Sequence, residues 1–142
     1  MEEIIKSEAF SIFVNLHKNE NLQIRRNIAG TLTLVTHYGN VKHILMLYQM
    51  KLFPAFCNLL IKAEKIADKK LLNTILAGIF GVSLKAQEYS CSIFEEFEQC
   101  GSIDIFIRLK SHDDENIRIL SQGIFVFLMI IMLTDNTCSK RY

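Results

Sequence analysis

Residues 93–109 read IFEEFEQCGSIDIFIRL and residues 117–133 read IRILSQGIFVFLMIIML, with Lys110 and the polar stretch SHDDEN between them. Apolar residues recur three or four positions apart, which places them on one face of a helix. Gly101 breaks the first segment, and charges gather at the joint. From Gly123 the last segment is apolar almost all round, so other protein must cover it on several sides. The pattern suits stacked helices and offers no set of convergent polar groups for a reaction centre.

The same alternation extends to the N-terminus. A helix is expected over Glu3–His17, with Ile5, Ala9, Ile12, Phe13 and Leu16 inward. KNEN follows, with Asn19 or Asn21 as a cap. A second helix is expected over Leu22–His37, striped by Ile24, Ile28, Leu32 and Val35. Gly39 is expected to end it in the left-handed conformation. Val41–Met50 makes a shorter helix, and the next begins near Leu52 with Pro54 in its first turn. KAEKIADKK is a joint. Lys70–Leu84 then forms a helix with Leu72, Ile75, Leu76, Ile79 and Val82 inward. Gly78 and Gly81 lie inside it, at a cost that a closely packed neighbour offsets. Helices over Ser90–Cys100, Ile103–Leu109 and Glu115–Met132 complete the chain, the last capped by Asp113 or Asp114.

A short helix, a turn, a medium helix, a joint and a long helix thus occur twice, over residues 41–84 and 90–133. Residues 3–37 resemble the last two helices of an earlier copy. A period in the forties suits an all-α solenoid of three-helix units. An irregular helical bundle is the competing reading.

At 142 residues the chain fits one domain. Sixteen basic against fifteen acidic side chains are too balanced for a nucleic-acid partner. The longest apolar run is Gly123–Leu133, short of the roughly 20 residues that a membrane span needs. The acidic start MEEIIKSEAF is no signal peptide. Cys57, Cys91, Cys100 and Cys138 include no C-x-x-C pair, and read as unbridged thiols.

His17, His37, His43 and His112 have no ligands at metal spacing and read as surface or boundary residues. Glu95, Glu96 and Glu98 have Cys91, Gln99 and Ser102 at helical spacing, so they form an acidic ridge or a docking patch for a basic partner. Arg25-Arg26 and Lys69-Lys70 read as solvated helix starts, or contacts to acidic partners. Neither cofactor nor metal is expected, and a helical enzyme is a distant reading.

Three segments carry a family likeness: IFEEFEQCGSIDIFIRLKSHDDENI (93–117), MKLFPAFCNLLIKAEKIADKKLLNTILAGIFGVSLKAQEY (50–89) and IRRNIAGTLTLVTHYGN (24–40). Together they resemble the last three armadillo repeats of importin alpha (karyopherin alpha), the nuclear-import adaptor. The resemblance implies an armadillo-type right-handed superhelical solenoid of about two and two-thirds repeats, found in nucleus and cytoplasm. It also implies partners: an export receptor or nucleoporin segments, met by a C-terminal surface of Glu95, Glu96, Ile103, Asp104, Ser111 and His112.

In that family a tryptophan and an asparagine on each third helix line the groove for a basic localisation signal. This chain has no tryptophan. Gly30 stands at the tryptophan position, Leu34 at the asparagine position and Asn27 at the preceding glutamate. Gly81 occupies the asparagine position of the next unit. Binding of a localisation signal is therefore not expected. The alternative is a degenerate relative serving as a structural scaffold. The apolar start (Ile4, Ile5, Phe10, Phe13) would have faced an earlier repeat, so a homodimer is expected as well.

Overall fold

The structure is a computed structural model that describes residues 1–134, apart from the side chains of Glu88, Ser90, Cys91 and Thr134. Its helices are α1 (Glu2–Lys6), α2 (Glu8–Asn15), α3 (Leu22–Tyr38), α4 (Val41–Gln49), α5 (Phe53–Lys65), α6 (Lys69–Lys85), α7 (Ser90–Gln99), α8 (Ser102–Leu109) and α9 (Glu115–Thr134). The expectations for Cys138 and for the Cys91 thiol lie outside what is described.

The three longest helices begin in the same way. Asn21 accepts the Ile24 N–H at 3.1 Å, Asp68 that of Leu71 at 3.1 Å, and Asp114 that of Ile117 at 3.0 Å. Each side chain satisfies an amide that the helix leaves without a partner. These caps lie roughly 46 residues apart, the period of a three-helix repeat. They align α3, α6 and α9 as successive rungs, with α6 packed against both others. The triplet α4–α5–α6 recurs as α7–α8–α9, and α1–α2–α3 forms a shorter leading unit.

Polar contacts repeat at the same interval. Arg26 holds Asp68 at 3.0 Å, Arg108 holds Glu64 at 2.6 Å, and Asn116 donates to Asn73 at 2.6 Å. Between them the core is apolar. Phe53, Phe56, Phe97 and Phe106 are all buried. Phe97 stacks on Phe53 at 6.4 Å and meets Phe106 edge-on at 5.9 Å, tying α5 to α7 and α8. Truncating one such ring costs about 3–5 kcal/mol.

Several expectations are corrected. The first helix breaks at Ser7, whose backbone is extended and whose Oγ accepts the Phe10 N–H. A serine that caps its own downstream turn competes with helix continuation. The break turns Phe10 and Val14 inward and leaves Ile12 and Leu16 exposed.

Gly39 is extended rather than left-handed. Glycine is needed there because a Cβ would overlap the Val35 carbonyl and press on His43. The left-handed positions are Lys51 and Ala67, each just past a helix end, and Gly101 between α7 and α8.

His17 and Arg25 are buried, not solvated. Asn58 Nδ2 donates to His17 Nδ1 at 2.8 Å, and Arg25 Nε donates to the Asn19 carbonyl at 2.7 Å. Burial lowers the His17 pKa, and the neighbouring Lys18 and Lys62 charges add to the effect.

The last helix also differs from expectation. Arg118, Ser121 and Gln122 interrupt its apolar run without ending its apolar character. Residues Glu115–Leu133 are long and apolar enough to cross a membrane by length and composition, with a mean hydropathy of 1.9. In the fold this helix lies along α6, α7 and α8. Only 28% of it is buried, so it is a partly covered rung rather than an enclosed core helix. Ile119, Val126, Ile130 and Leu133 remain exposed.

Candidate functional site

The rungs α3 and α6 approach closely because small residues allow it. A Cβ on Gly78 would lie 2.8 Å from Thr33 Oγ1 and 2.9 Å from Phe56, closer than side chains tolerate. Thr33 meanwhile donates its hydroxyl to the Thr74 carbonyl at 2.8 Å, across the same contact. Gly123 repeats the device on α9, where a Cβ would come within 3.0 Å of Phe80.

This packing leaves two clefts in line between α3 and α6. The first is lined by Gln23, Arg26, Asn27, Gly30, Lys70 and Thr74. The second is lined by Leu34, His37, Ala77, Phe80, Gly81 and Leu84, among others. All four positions read as a diverged groove, Asn27, Gly30, Leu34 and Gly81, line these clefts. Gly30 has nothing within 4 Å of where its Cβ would be, so its small size serves no packing in this chain. A Cβ on Gly81 would meet Thr36 Oγ1 at 3.4 Å, an ordinary contact.

Charge in the first cleft is held by few groups. Arg26 Nη2 binds Asp68 Oδ2, while Arg26 Nε is buried with no hydrogen-bond partner. The Asp68 carboxyl lies below its usual range, because its bonds from the Leu71 amide and Arg26 outweigh its burial. Gln23 Nε2 donates to Asn27 Oδ1 at 3.0 Å. In the second cleft Lys85 Nζ spans the carbonyls of Thr36, His37 and Gly39, closing the end of α3.

The residues expected at the C-terminal surface lie on α7, on α8 and in the joint that follows α8. Ile103 and Asp104 share a groove with Phe94, Glu98, Met129 and Met132. Glu95 and Glu96 are half-buried on α7 and do not line that groove. Ser111 and His112 lie beyond the other end of α8, about 12 Å away at 1.5 Å per helical residue. His112 shapes the joint: its Nδ1 accepts the Asp114 N–H at 2.9 Å and its carbonyl accepts from Arg118. The place of Arg26, Lys70 and Phe80 in the clefts was not read from sequence, where the first two stood as solvated helix starts or contacts to acidic partners.

The thiols of Cys57 and Cys100 interact. Cys57 is buried, and its thiol is pushed up by its bond to Cys100 and by burial. Half-buried Cys100 is lowered by the same bond. Among the described residues, no group of three or more His, Cys, Asp or Glu side chains is placed to hold a metal ion.

No protein-family model matches the chain. Among solved structures, "Designed armadillo repeat protein YIII(Dq)4CqI" superposes with a TM-score of 0.72 at 18% sequence identity, over 89% of this chain and 50% of that one.

The fold is an armadillo-type right-handed helical solenoid.

The chain spans half the length of that armadillo structure. In armadillo terms α3, α6 and α9 are the third helices of successive units, and the two clefts lie between the first pair. The other expected elements, α4–α5 and α7–α8, are the first and second helices.

Proposed function

We propose that this chain is a non-enzymatic protein-interaction scaffold whose binding face is the ladder of third helices. The observation that carries this reading is the pair of clefts between α3 and α6, aligned along a rigid contact and lined by side chains of mixed polarity. Stacked repeats hold such a face at fixed geometry, so a partner meets a surface that needs little reordering.

A narrower reading is a role in nucleocytoplasmic protein transport, between nucleus and cytoplasm. It rests on the likeness of residues 93–117 to importin alpha and on the groove formed by Phe94, Glu98, Ile103, Asp104, Met129 and Met132. An apolar floor with carboxylates at its edge suits a basic, partly apolar surface such as an export receptor or a nucleoporin segment would present. The alternative is a degenerate relative that acts only as a self-associating scaffold.

The test is a pull-down with the full chain against the importin-alpha export receptor, a nucleoporin repeat segment and a basic signal peptide. The transport reading expects capture of the receptor or the nucleoporin segment, weakened by Asp104→Lys, and no capture of the signal peptide. Capture of none by a folded chain contradicts it.

A further inference from the structure

We infer that the α3–α6 clefts bind an extended peptide that is acidic, the charge opposite to that of a nuclear localisation signal. This deepens the scaffold reading above and rests on it.

The first cleft presents one cationic side chain unpaired among the described residues, Lys70, two amides, Gln23 and Asn27, and the Arg26 guanidinium, which Asp68 holds from one side. No carboxylate lines it. The nearby acid, Asp68, is already engaged by Arg26 and by the Leu71 amide. Lys70 has no ion-pair partner among the described residues, and its side chain lies on the exposed start of α6. Because Gln23 donates to Asn27 Oδ1, the Asn27 amide is oriented with Nδ2 left as a donor. The Lys70 ammonium and Asn27 Nδ2 are the donors left at this cleft, and one carboxylate satisfies an amide and an ammonium together.

The second cleft adds a different requirement. Leu34, Phe80 and Leu84 give it an apolar lining, with Ala77 and Gly81 keeping its floor low. Arg26 and Leu34 are eight helical residues apart, about 12 Å. An extended peptide covers that distance in about four residues. The fitting ligand therefore carries an aspartate or glutamate and, about four positions away, an apolar side chain. The departures from the importin-alpha groove acquire a common sense here. Asn27 removes a carboxylate, Gly30 removes a wall, and Leu34 supplies apolar lining in place of an amide.

The test is fluorescence anisotropy on the full chain with three labelled ten-residue peptides of matched apolar content: one bearing glutamates, one with lysines in their place, one with glutamines. Lys70→Glu is compared with Lys65→Glu, the same charge change on an exposed residue of α5. Ala77→Trp fills the cleft floor. The inference expects the glutamate peptide to bind, about tenfold more weakly with Lys70→Glu and less than twofold with Lys65→Glu, and more weakly at high salt. Equal loss in both lysine variants, or tighter binding of a ten-nucleotide single strand, overturns it. Tighter binding of the lysine or glutamine peptide, abolished by Ala77→Trp, overturns the charge assignment and leaves the scaffold reading standing. Binding of no peptide by the folded chain removes both.

Discussion

Gly78 and Thr33 face each other where α3 crosses α6, and the missing Cβ of Gly78 would lie 2.8 Å from Thr33 Oγ1. That hydroxyl cannot turn away without losing its bond to the Thr74 carbonyl. The glycine is thus a spacer between rungs, and its cost in helix propensity is offset by the contact it permits.

Gly78→Ala is expected to destabilise the fold by about 1–2 kcal/mol, because overlap with Thr33 and buried Phe56 exceeds the gain in helix propensity. Gly30→Ala, with open space around its Cβ, is expected to stabilise by up to about 1 kcal/mol. Urea denaturation of the two variants checks this. Equal effects would show that the rungs are not in tight contact.

Lys51 and Ala67 sit at positive φ just after α4 and α5. There the Leu52 N–H reaches the Leu47 carbonyl and the Asp68 N–H reaches the Ala63 carbonyl, the bonding of a helix stop. A side chain in this region costs about 1–2 kcal/mol. Lys51→Gly and Ala67→Gly are each expected to stabilise by about 0.5–1 kcal/mol after the entropy of the added glycine. Thermal melts measure it, and a loss of stability in either would contradict the turn geometry.

His17 gives the fold an acid limit. Its folded pKa lies below the ordinary 6.5, so the unfolded chain binds the proton more tightly. Its contribution is complete above that ordinary value and declines as pH falls below it, toward the folded pKa. The urea midpoint is expected to fall between pH 7 and pH 5, and His17→Gln is expected to flatten that slope. An unchanged slope in the variant would place the acid sensitivity elsewhere.

Cys100 is lowered by its bond from Cys57 and is the more exposed of the two. Iodoacetamide at neutral pH is expected to modify Cys100 well before Cys57, since the thiolate is the nucleophile. Peptide mass spectrometry resolves the two sites. Faster labelling of Cys57 would reverse the assignment.

Both ends of the ladder expose apolar side chains: Ile4, Ile12, Leu34 and Tyr38 at one, Ile119, Val126, Ile130 and Leu133 at the other. End units of a solenoid require polar outer faces for solubility. Self-association that rises with concentration is expected in light scattering, and is reduced by Ile130→Glu. A clean monomer at high concentration would contradict it.

Much of the fold was legible because period and caps are local signals. The joints KNEN, KAEKIADKK and SHDDEN and the break at Gly101 follow from residue type and spacing, while the choice of Asn21 over Asn19, Asp114 over Asp113, and Asp68 as the cap of α6 came from the structure. Ser7 misled because a serine inside an apolar stripe reads equally as helix or cap, and only its bond to Phe10 decides. His17 and Arg25 misled because their partners lie outside their own helical turn: Asn58 of α5, 41 residues on, for His17, and the Asn19 carbonyl before α3 for Arg25. The clefts were visible only through Asn27, Gly30, Leu34 and Gly81 as departures from a likeness. The pairing of Arg26 with Asp68, which settles the charge there, joins two residues that no local window contains.

The central claim is that the ladder face of α3 and α6 binds a partner chain. Hydrogen exchange with mass spectrometry, run on the full chain with and without saturating glutamate-bearing ten-residue peptide, tests it most directly. The account predicts slower exchange in segments of α3 and α6 (Leu22–Tyr38 and Lys69–Lys85) and unchanged exchange in α5 and α8. Protection confined to α5 and α8, or none in α3 and α6 at saturation, would contradict it.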